Sequence, residues 1–373
     1  MKKILIVFGT RPEALKLIPV YNELKKNSNF FETKICITSQ HKEMLWDMLE
    51  FFKVQPDYDL EIMSPNQTLF DITSKILLKI KETLAHFEPD LIIIQGDTTT
   101  TFVASLAGFY NKTKVAHIEA GLRSHDKYSP YPEEINRVLT SRLADYHFAP
   151  TPKAMENLHN ENIKHNTYLV GNTIIDTLFL TISIIEHKEK EFFAKFNFLD
   201  FSRKIILVTG HRRESFGEPF RNICGAIRKI AMDYPDFQIV YPVHLNPNVQ
   251  APVFEILSDI PNVFLIEPQK YPEFVWLMNK SYLILTDSGG VQEEAPSLGK
   301  PVLVMRDVTE RTEGIEAGTA ILVGTNEDAI YNSTVELINN TELYQKMATA
   351  QNPYGDGQSS QKIVQILKDT LFV

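Results

Sequence analysis

A chain of 373 residues is long for one hydrophobic core and suits two, and 43% apolar with 23% charged residues is the make-up of an ordinary globular protein. A formal net charge of -9 excludes the basic footprint of a nucleic-acid or anionic membrane partner, yet leaves room for a small anion met by a few local cations and helix N-termini. Cys36 and Cys224 stand in apolar surroundings without ligand spacing, so two buried free thiols in a reducing compartment are expected.

Residues 4–8 are a continuous apolar run of the kind that forms a buried parallel strand. The run is too short for the apolar region of a signal peptide, and no stretch approaches the ~18 apolar residues of a membrane span. A cytoplasmic location without membrane association is the expectation. A helix is predicted from Pro12, since proline is tolerated in a first turn. Residues 33–39, 91–95 and 114–118 read as further strands, and residues 69–87 and 99–110 as helices between them. This alternation implies a doubly wound parallel sheet. Residues 172–195 read as one long helix, turning charged at Glu186-His187-Lys188-Glu189-Lys190-Glu191 as a solvated face leading into a linker. A second cycle of strands follows at 204–209, 238–242, 263–266, 282–286 and 301–305. The expected fold is α/β, with two Rossmann-like parallel-sheet domains facing a cleft and ligands beyond the carboxyl ends of the strands.

Strings rich in chemistry fall at those strand ends. Gly9-Thr10-Arg11-Pro12-Glu13 follows the first strand and opens a helix, where free N–H groups favour an anion. It matches neither a dinucleotide fingerprint nor a Walker loop, and an ordinary strand-to-helix turn accounts for it equally well. Arg11 and Lys16 favour phosphate. Gln95-Gly96-Asp97-Thr98 offers a carboxylate at a strand end, where Asp97 or Thr98 serves as a helix cap on the plainer reading. His117-Ile118-Glu119-Ala120-Gly121 repeats the pattern, and Tyr131-Pro132-Glu133-Glu134 adds acids where a helix dipole welcomes them. Three such carboxylates on one rim of a sheet say more than any one of them. In the second half, Gly210-His211-Arg212-Arg213-Glu214-Ser215 suits a pyrophosphate. Asp287-Ser288-Gly289-Gly290-Val291-Gln292-Glu293-Glu294 offers unhindered N–H groups to phosphate oxygens, with Glu294 a turn further in to reach ribose hydroxyls. Arg306 and Arg311 follow the next strand on the same side. No metal-ligand spacing and no nicotinamide fingerprint stands out, so neither metal nor cofactor is expected.

In this order and spacing, from Phe8-Gly9-Thr10-Arg11-Pro12-Glu13-Ala14 to Asn352-Pro353-Tyr354-Gly355-Asp356-Gly357, the strings resemble the non-hydrolysing UDP-N-acetylglucosamine 2-epimerases of bacteria. The resemblance implies a GT-B-like pair of domains, 1–172 and 173–357, with 358–373 packing back on the first domain through a C-terminal helix. Nucleotide contacts then fall to Arg11, Lys16, His211, Gln269, Phe274, Ser288, Gly289, Gly290, Glu294 and Arg311. Acid and base roles fall to Asp97, Glu119 and Glu133, with His211 assisting phosphate departure or proton transfer. A second, activating site is implied at Gln40, His41, Glu134, Arg212 and His244, while Glu43 and Asn66 stand near places where activated relatives can carry Gln and Arg. The family also suggests a homodimer, with UDP-GlcNAc and UDP-ManNAc as ligands.

The chemistry explains the demand for several acids. The C2 proton of such a sugar is not α to a carbonyl, so its direct removal is prohibitively slow. Elimination of UDP from C1 with loss of that proton gives a 2-acetamidoglucal, and re-addition with protonation on the opposite face inverts C2. Both faces need proton relays, and the departing pyrophosphate needs cations and N–H groups. A hydrolysing epimerase, a GT-B glycosyltransferase and a silent nucleotide-sugar sensor remain open as alternatives.

Overall fold

The computed structural model describes residues 1–39, 42–64 and 66–372, with Gln40 and His41 outside the described residues and the side chain of Glu43 likewise. The chain divides into two units, Met1–Thr177 with Gly355–Val373, and Leu178–Tyr354. Each unit carries one parallel sheet.

In the first unit the strands are β1 (Lys2–Phe8), β2 (Phe31–Ile37), β3 (Tyr58–Asp59), β4 (Leu91–Gln95), β5 (Lys114–Ile118), β6 (Tyr146–Ala149) and β7 (Thr167–Leu169). Their order is β3-β2-β1-β4-β5-β6-β7, so the winding reverses between β1 and β4. The apolar run of β1 is buried from Ile4 to Phe8 because both faces of a parallel strand are covered. On one face Leu5, Val7, Ile92 and Ile94 alternate at period two and meet Ile72, Ile76, Ile80 and Leu84, spaced by four along the helix Leu69–Phe87. That helix starts on a reciprocal cap: Thr68 N and Oγ1 donate to Asp71 Oδ2 (2.8 and 2.6 Å), and Asp71 N returns a bond to Thr68 Oγ1 at 3.3 Å.

The second unit holds β8 (Ile205–Thr209), β9 (Gln238–Pro242), β10 (Val263–Ile266), β11 (Leu283–Thr286), β12 (Val302–Val304) and β13 (Ala320–Leu322). The order β10-β9-β8-β11-β12-β13 reverses between β8 and β11. Ile206, Val208, Leu283 and Leu285 form its core with Phe220, Ile223, Ile227 and Ile230 from the helix Glu218–Asp233.

The expected fold class of two Rossmann-like parallel-sheet units is found, and the helices predicted at 69–87 and 99–110 lie at Leu69–Phe87 and Thr99–Asn111. Strands β3, β6, β7 and β13 escaped prediction; they are two to four residues long, too short to show a period. The single helix expected over 172–195 is two helices, Thr173–Glu186 and Glu189–Lys195. The break serves packing: beyond it Phe192 and Phe196 stack on Trp276 with centroids 5.9 and 5.2 Å away, and Phe193 meets the same indole edge-on at 5.3 Å.

The last helix, Ser359–Leu371, packs in the first unit against the helix Arg11–Lys26. Asp176 caps it, accepting from Ser360 N at 2.7 Å and Ser359 N at 3.2 Å. Both cysteines are buried free thiols, pushed up to about 12 chiefly by burial. Among the described residues, no helix is long and apolar enough to cross a membrane.

Candidate active site

At the carboxyl end of the first sheet the organising residue is Glu13, in the first turn of the helix Arg11–Lys26 and 1% exposed. Its Oε2 accepts from Gly9 N (3.0 Å), Thr10 N (2.8 Å) and Thr10 Oγ1 (2.8 Å), and its Oε1 from Thr98 Oγ1 (2.7 Å) and Thr101 Oγ1 (3.1 Å). One carboxylate thus ties the turn after β1, which carries Arg11, to the turn after β4, which carries Asp97. Burial pushes the Glu13 carboxyl above its ordinary range, against the pull of the Thr98, Thr10 and backbone hydrogen bonds. The spacing Thr10-x-x-Glu13 is a capping-box signal visible in the sequence, but the tie to Thr98 and Thr101 is not.

Asp97 and Glu119, expected as acid/base groups, are each held by a cation. Asp97 Oδ2 takes Arg137 Nη2 at 2.5 Å, and Asn136 Nδ2 donates to the Asp97 carbonyl at 2.9 Å. Glu119 follows β5 in the left-handed region at φ 63°. There Lys16 Nζ pairs with its Oε1 and Gln95 Nε2 donates to its Oε2. Lys16, expected at a phosphate, is therefore engaged with Glu119. Gly96 lies beneath: a Cβ there would stand 3.7 Å from Glu119 Oε2. Both glycines adopt a positive φ, 74° at Gly96 and 94° at Gly121, and at Gly121 a Cβ would in addition come within 2.1 Å of the Ala154 carbonyl oxygen.

Glu133 opens the helix Glu133–Leu143 half-buried, and no hydrogen bond or ion pair holds its carboxylate among the described residues. Its neighbour Glu134 is buried; it accepts from Ser124 N and His125 N, both at 3.0 Å, and meets Arg137 Nη1 at 3.2 Å. Arg137 thus joins Asp97 to Glu134. Sequence reasoning gave it no role, although its place three residues after Glu134 on a helix was a usable signal. His117 and His147 are paired in register on β5 and β6 and buried. Burial lowers His117 to about 3 and His147 to about 4. Neutral His117 therefore donates from Nε2 to the Gly96 carbonyl at 2.7 Å, as a structural histidine.

In the second unit the turn after β8 is fixed by Asp287, which follows β11 and is fully buried. Its Oδ2 accepts from His211 N at 2.6 Å and Arg212 N at 2.8 Å, and its Oδ1 lies 3.3 Å from His211 Nδ1. Burial would raise the Asp287 carboxyl, but the His211 side chain and the two backbone donors outweigh it and hold it low. The His211 ring is partly exposed and stacks on His244, centroids 5.4 Å apart at 15°. Burial and the nearby His211 lower His244. His211, Arg212 and His244, drawn from two different expected sites, therefore stand together.

Ser288, Gly289 and Gly290 open the short helix Gly289–Glu294. Gly289 allows a close approach: a Cβ would stand 3.2 Å from the Arg311 guanidinium, which is held by Glu293 at 2.9 Å and by Glu310 at 2.9 Å. Glu294 Oε2 accepts from Tyr271 OH at 2.5 Å, which ties it to the helix Tyr271–Lys280 that carries half-buried Phe274. Gln269, just before that helix, donates to the Glu267 carbonyl at 2.7 Å and leaves its own Oε1 buried without a partner. Arg306 pairs with Glu214 and Glu310. Among the described residues, no group of three His, Cys, Asp or Glu side chains is arranged to hold a metal ion.

Comparison with known proteins identifies the family. The family model described as UDP-N-acetylglucosamine 2-epimerase matches residues 22–368. A UDP-N-acetylglucosamine 2-epimerase of Escherichia coli (strain K12) is 53% identical over 371 residues, covering 98% of each chain. The crystal structure of UDP-GlcNAc 2-epimerase from Neisseria meningitidis bound to UDP-GlcNAc superposes with a TM-score of 0.89 at 51% identity, over 99% of this chain and 100% of that one. The enzyme from Methanocaldococcus jannaschii in complex with UDP-GlcNAc and UDP gives 0.79 at 38% identity, over 98% and 99%. On this coverage and identity, the chain belongs to the UDP-N-acetylglucosamine 2-epimerase family.

Proposed function

We propose that this chain is a non-hydrolysing isomerase that interconverts UDP-GlcNAc and UDP-ManNAc, breaking the C1–O bond to UDP and the C2–H bond, then remaking both with C2 inverted. The observation that carries the reading is the set of acids on one strand-end rim of the first unit: Asp97 after β4, Glu119 after β5 and Glu133 at the next helix start. Inversion needs proton relays addressing both faces of C2, and a glycosyl transfer has no use for that many. Arg137 orients Asp97, Lys16 and Gln95 orient Glu119, and Glu133 is left available to the substrate. The second unit takes the nucleotide: His211, Ser288, Gly289, Gly290 and Arg311 meet the pyrophosphate and steady it as it leaves, and Glu294 meets the ribose. Gln269, with its buried unpartnered Oε1, and Phe274 hold the base. Arg11, on the turn fastened by Glu13, is a further nucleotide contact in this reading. A cytoplasmic homodimer completes the reading, and light scattering of the purified protein checks the assembly.

Proton NMR of the protein with UDP-GlcNAc in deuterium oxide tests the reaction. UDP-ManNAc carrying deuterium at C2, with UDP still on the sugar, is the expected result. Free ManNAc with UDP would replace the reading by hydrolysis, and an unchanged spectrum would replace it by a transferase or a sensor.

A further inference from the structure

We propose that Asp287 is a positioning residue that keeps the hydrogen of the neutral His211 ring on Nδ1, so that Nε2 is the nitrogen His211 presents to the phosphates of the nucleotide. The inference rests on the reading above that His211 faces those phosphates, and deepens it.

Three observations carry it. Asp287 is fully buried, and its Oδ2 is occupied by the backbone N–H groups of His211 and Arg212, so the carboxylate cannot turn. The remaining oxygen, Oδ1, is buried, makes no hydrogen bond of its own in this geometry and faces His211 Nδ1 at 3.3 Å, so a small turn of the ring brings Nδ1 onto it. A carboxylate that is already accepting two hydrogen bonds offers Nδ1 only lone pairs, so the hydrogen between them belongs to the ring. The ring is also confined: His244 stacks on it at 15°, and the His244 ring is itself fixed by accepting from Asn246 N at 3.1 Å. On the near side Tyr241 OH donates to the Gly210 carbonyl at 2.9 Å, holding the backbone that delivers His211. Asp287 and His244 are the titratable groups placed against the ring, with Tyr241 on the backbone that delivers it and Arg212 next in the chain.

The arrangement has a mechanical consequence. With Nδ1–H turned to Asp287 Oδ1, the neutral ring offers a lone pair at Nε2. Once Nε2 takes a proton, it becomes a donor aimed at the departing phosphate, and the buried carboxylate balances the charge. Asp287→Asn removes this order without changing shape. Its carbonyl oxygen must stay with the two backbone N–H groups, which turns its NH2 toward the ring and forces Nδ1 to accept. The neutral ring then carries its hydrogen on Nε2.

Long-range proton–nitrogen NMR of the 15N-histidine protein reads the tautomer, with the His211 signals identified by their loss in His211→Gln. The wild-type ring should show the Nδ1–H form and Asp287→Asn the Nε2–H form. Turnover of Asp287→Asn should fall on the order of 10- to 100-fold with a smaller change in KM. Adding Asp287→Asn to His211→Gln should cost nothing further. An Nε2–H ring in the wild-type protein overturns the proposal without requiring any variant to fold. An equal loss from Asp287→Asn in the His211→Gln background also overturns it, because Asp287 then serves the loop alone. Normal turnover by His211→Gln would sink the catalytic role of His211 instead, and the tautomer measurement would stand apart from it.

Discussion

Glu13 in the first unit and Asp287 in the second occupy related places. Each is a buried carboxylate that fastens the loop after one strand to the loop of its neighbour, where the order of strands reverses. Glu13 does this with backbone and hydroxyl donors alone, and burial leaves its carboxyl above the ordinary range. Asp287 has the His211 imidazole as well, and its carboxyl is held low. The geometric task is shared, and the neighbouring imidazole together with the backbone donors decides which protonation state the carboxyl favours. The units diverge further along the rim. The first gathers carboxylates braced by Arg137 and Lys16, whereas the second gathers cations and small residues braced by Asp287 and Glu293. On the proposed reading, one rim moves protons and the other holds an anion.

That division has consequences of decreasing size. Asp97→Asn and Glu119→Gln should each lower turnover by about 100- to 10,000-fold while leaving UDP affinity by calorimetry unchanged; a parallel loss of UDP binding would erase the division. Glu13→Gln should destabilise the first unit by about 1–3 kcal/mol, because an amide NH2 would face groups that are themselves donors. Chemical denaturation would register this, and a wild-type midpoint would show that the turn stands without its carboxylate.

Acid should separate the units as well. His117 and His147 have folded values of about 3 and 4 against 6.5 for a free imidazole, so the unfolded chain gains protons first as the pH falls. Their contribution to stability is complete above pH 6.5 and is lost progressively as the pH drops towards 4 and then 3. Asp287 loses its contribution only below its ordinary value of 3.8, and His244, though lowered, is mostly exposed. The raised carboxyls of Glu13 and Asp176 act in the opposite sense, so the histidine share is isolated by comparison. In His117→Gln with His147→Gln the fall in melting temperature between pH 6.5 and 4 should be shallower than in the wild-type protein; an unchanged slope would assign acid sensitivity elsewhere. Smallest of all, Gly289→Ala should weaken UDP binding only a few-fold, since Arg311 must give way by a few tenths of an ångström around a Cβ 3.2 Å distant. A loss as large as that from truncating Arg311 to Ala would mean that the glycine does more than make room.

Local order accounts for what could be read in advance. The apolar runs that became β1, β4, β5 and β9 were visible because a strand covered on both faces needs apolar residues nearly throughout. The helix Leu69–Phe87 was visible from its stripe of isoleucines and its cap. The positions of Asp97, Glu119, His211 and Ser288 at strand ends followed from the same periodicity. Tertiary structure alone decided the partners. Nothing in the chain order joins Lys16 to Glu119, Arg137 to Asp97, or Asp287 to His211, residues separated by tens of positions and brought together by strand order. The break at His187–Lys188 was equally hidden, because the charged run has the composition of a continuous solvated helix and only Trp276 supplies the reason to turn. Amino-acid sequence by itself determined the elements and the residue types at their ends, since those depend on neighbours within a few positions. Which carboxylate meets which cation depends on the sheet that carries them both, and it is those pairings that set charge and orientation.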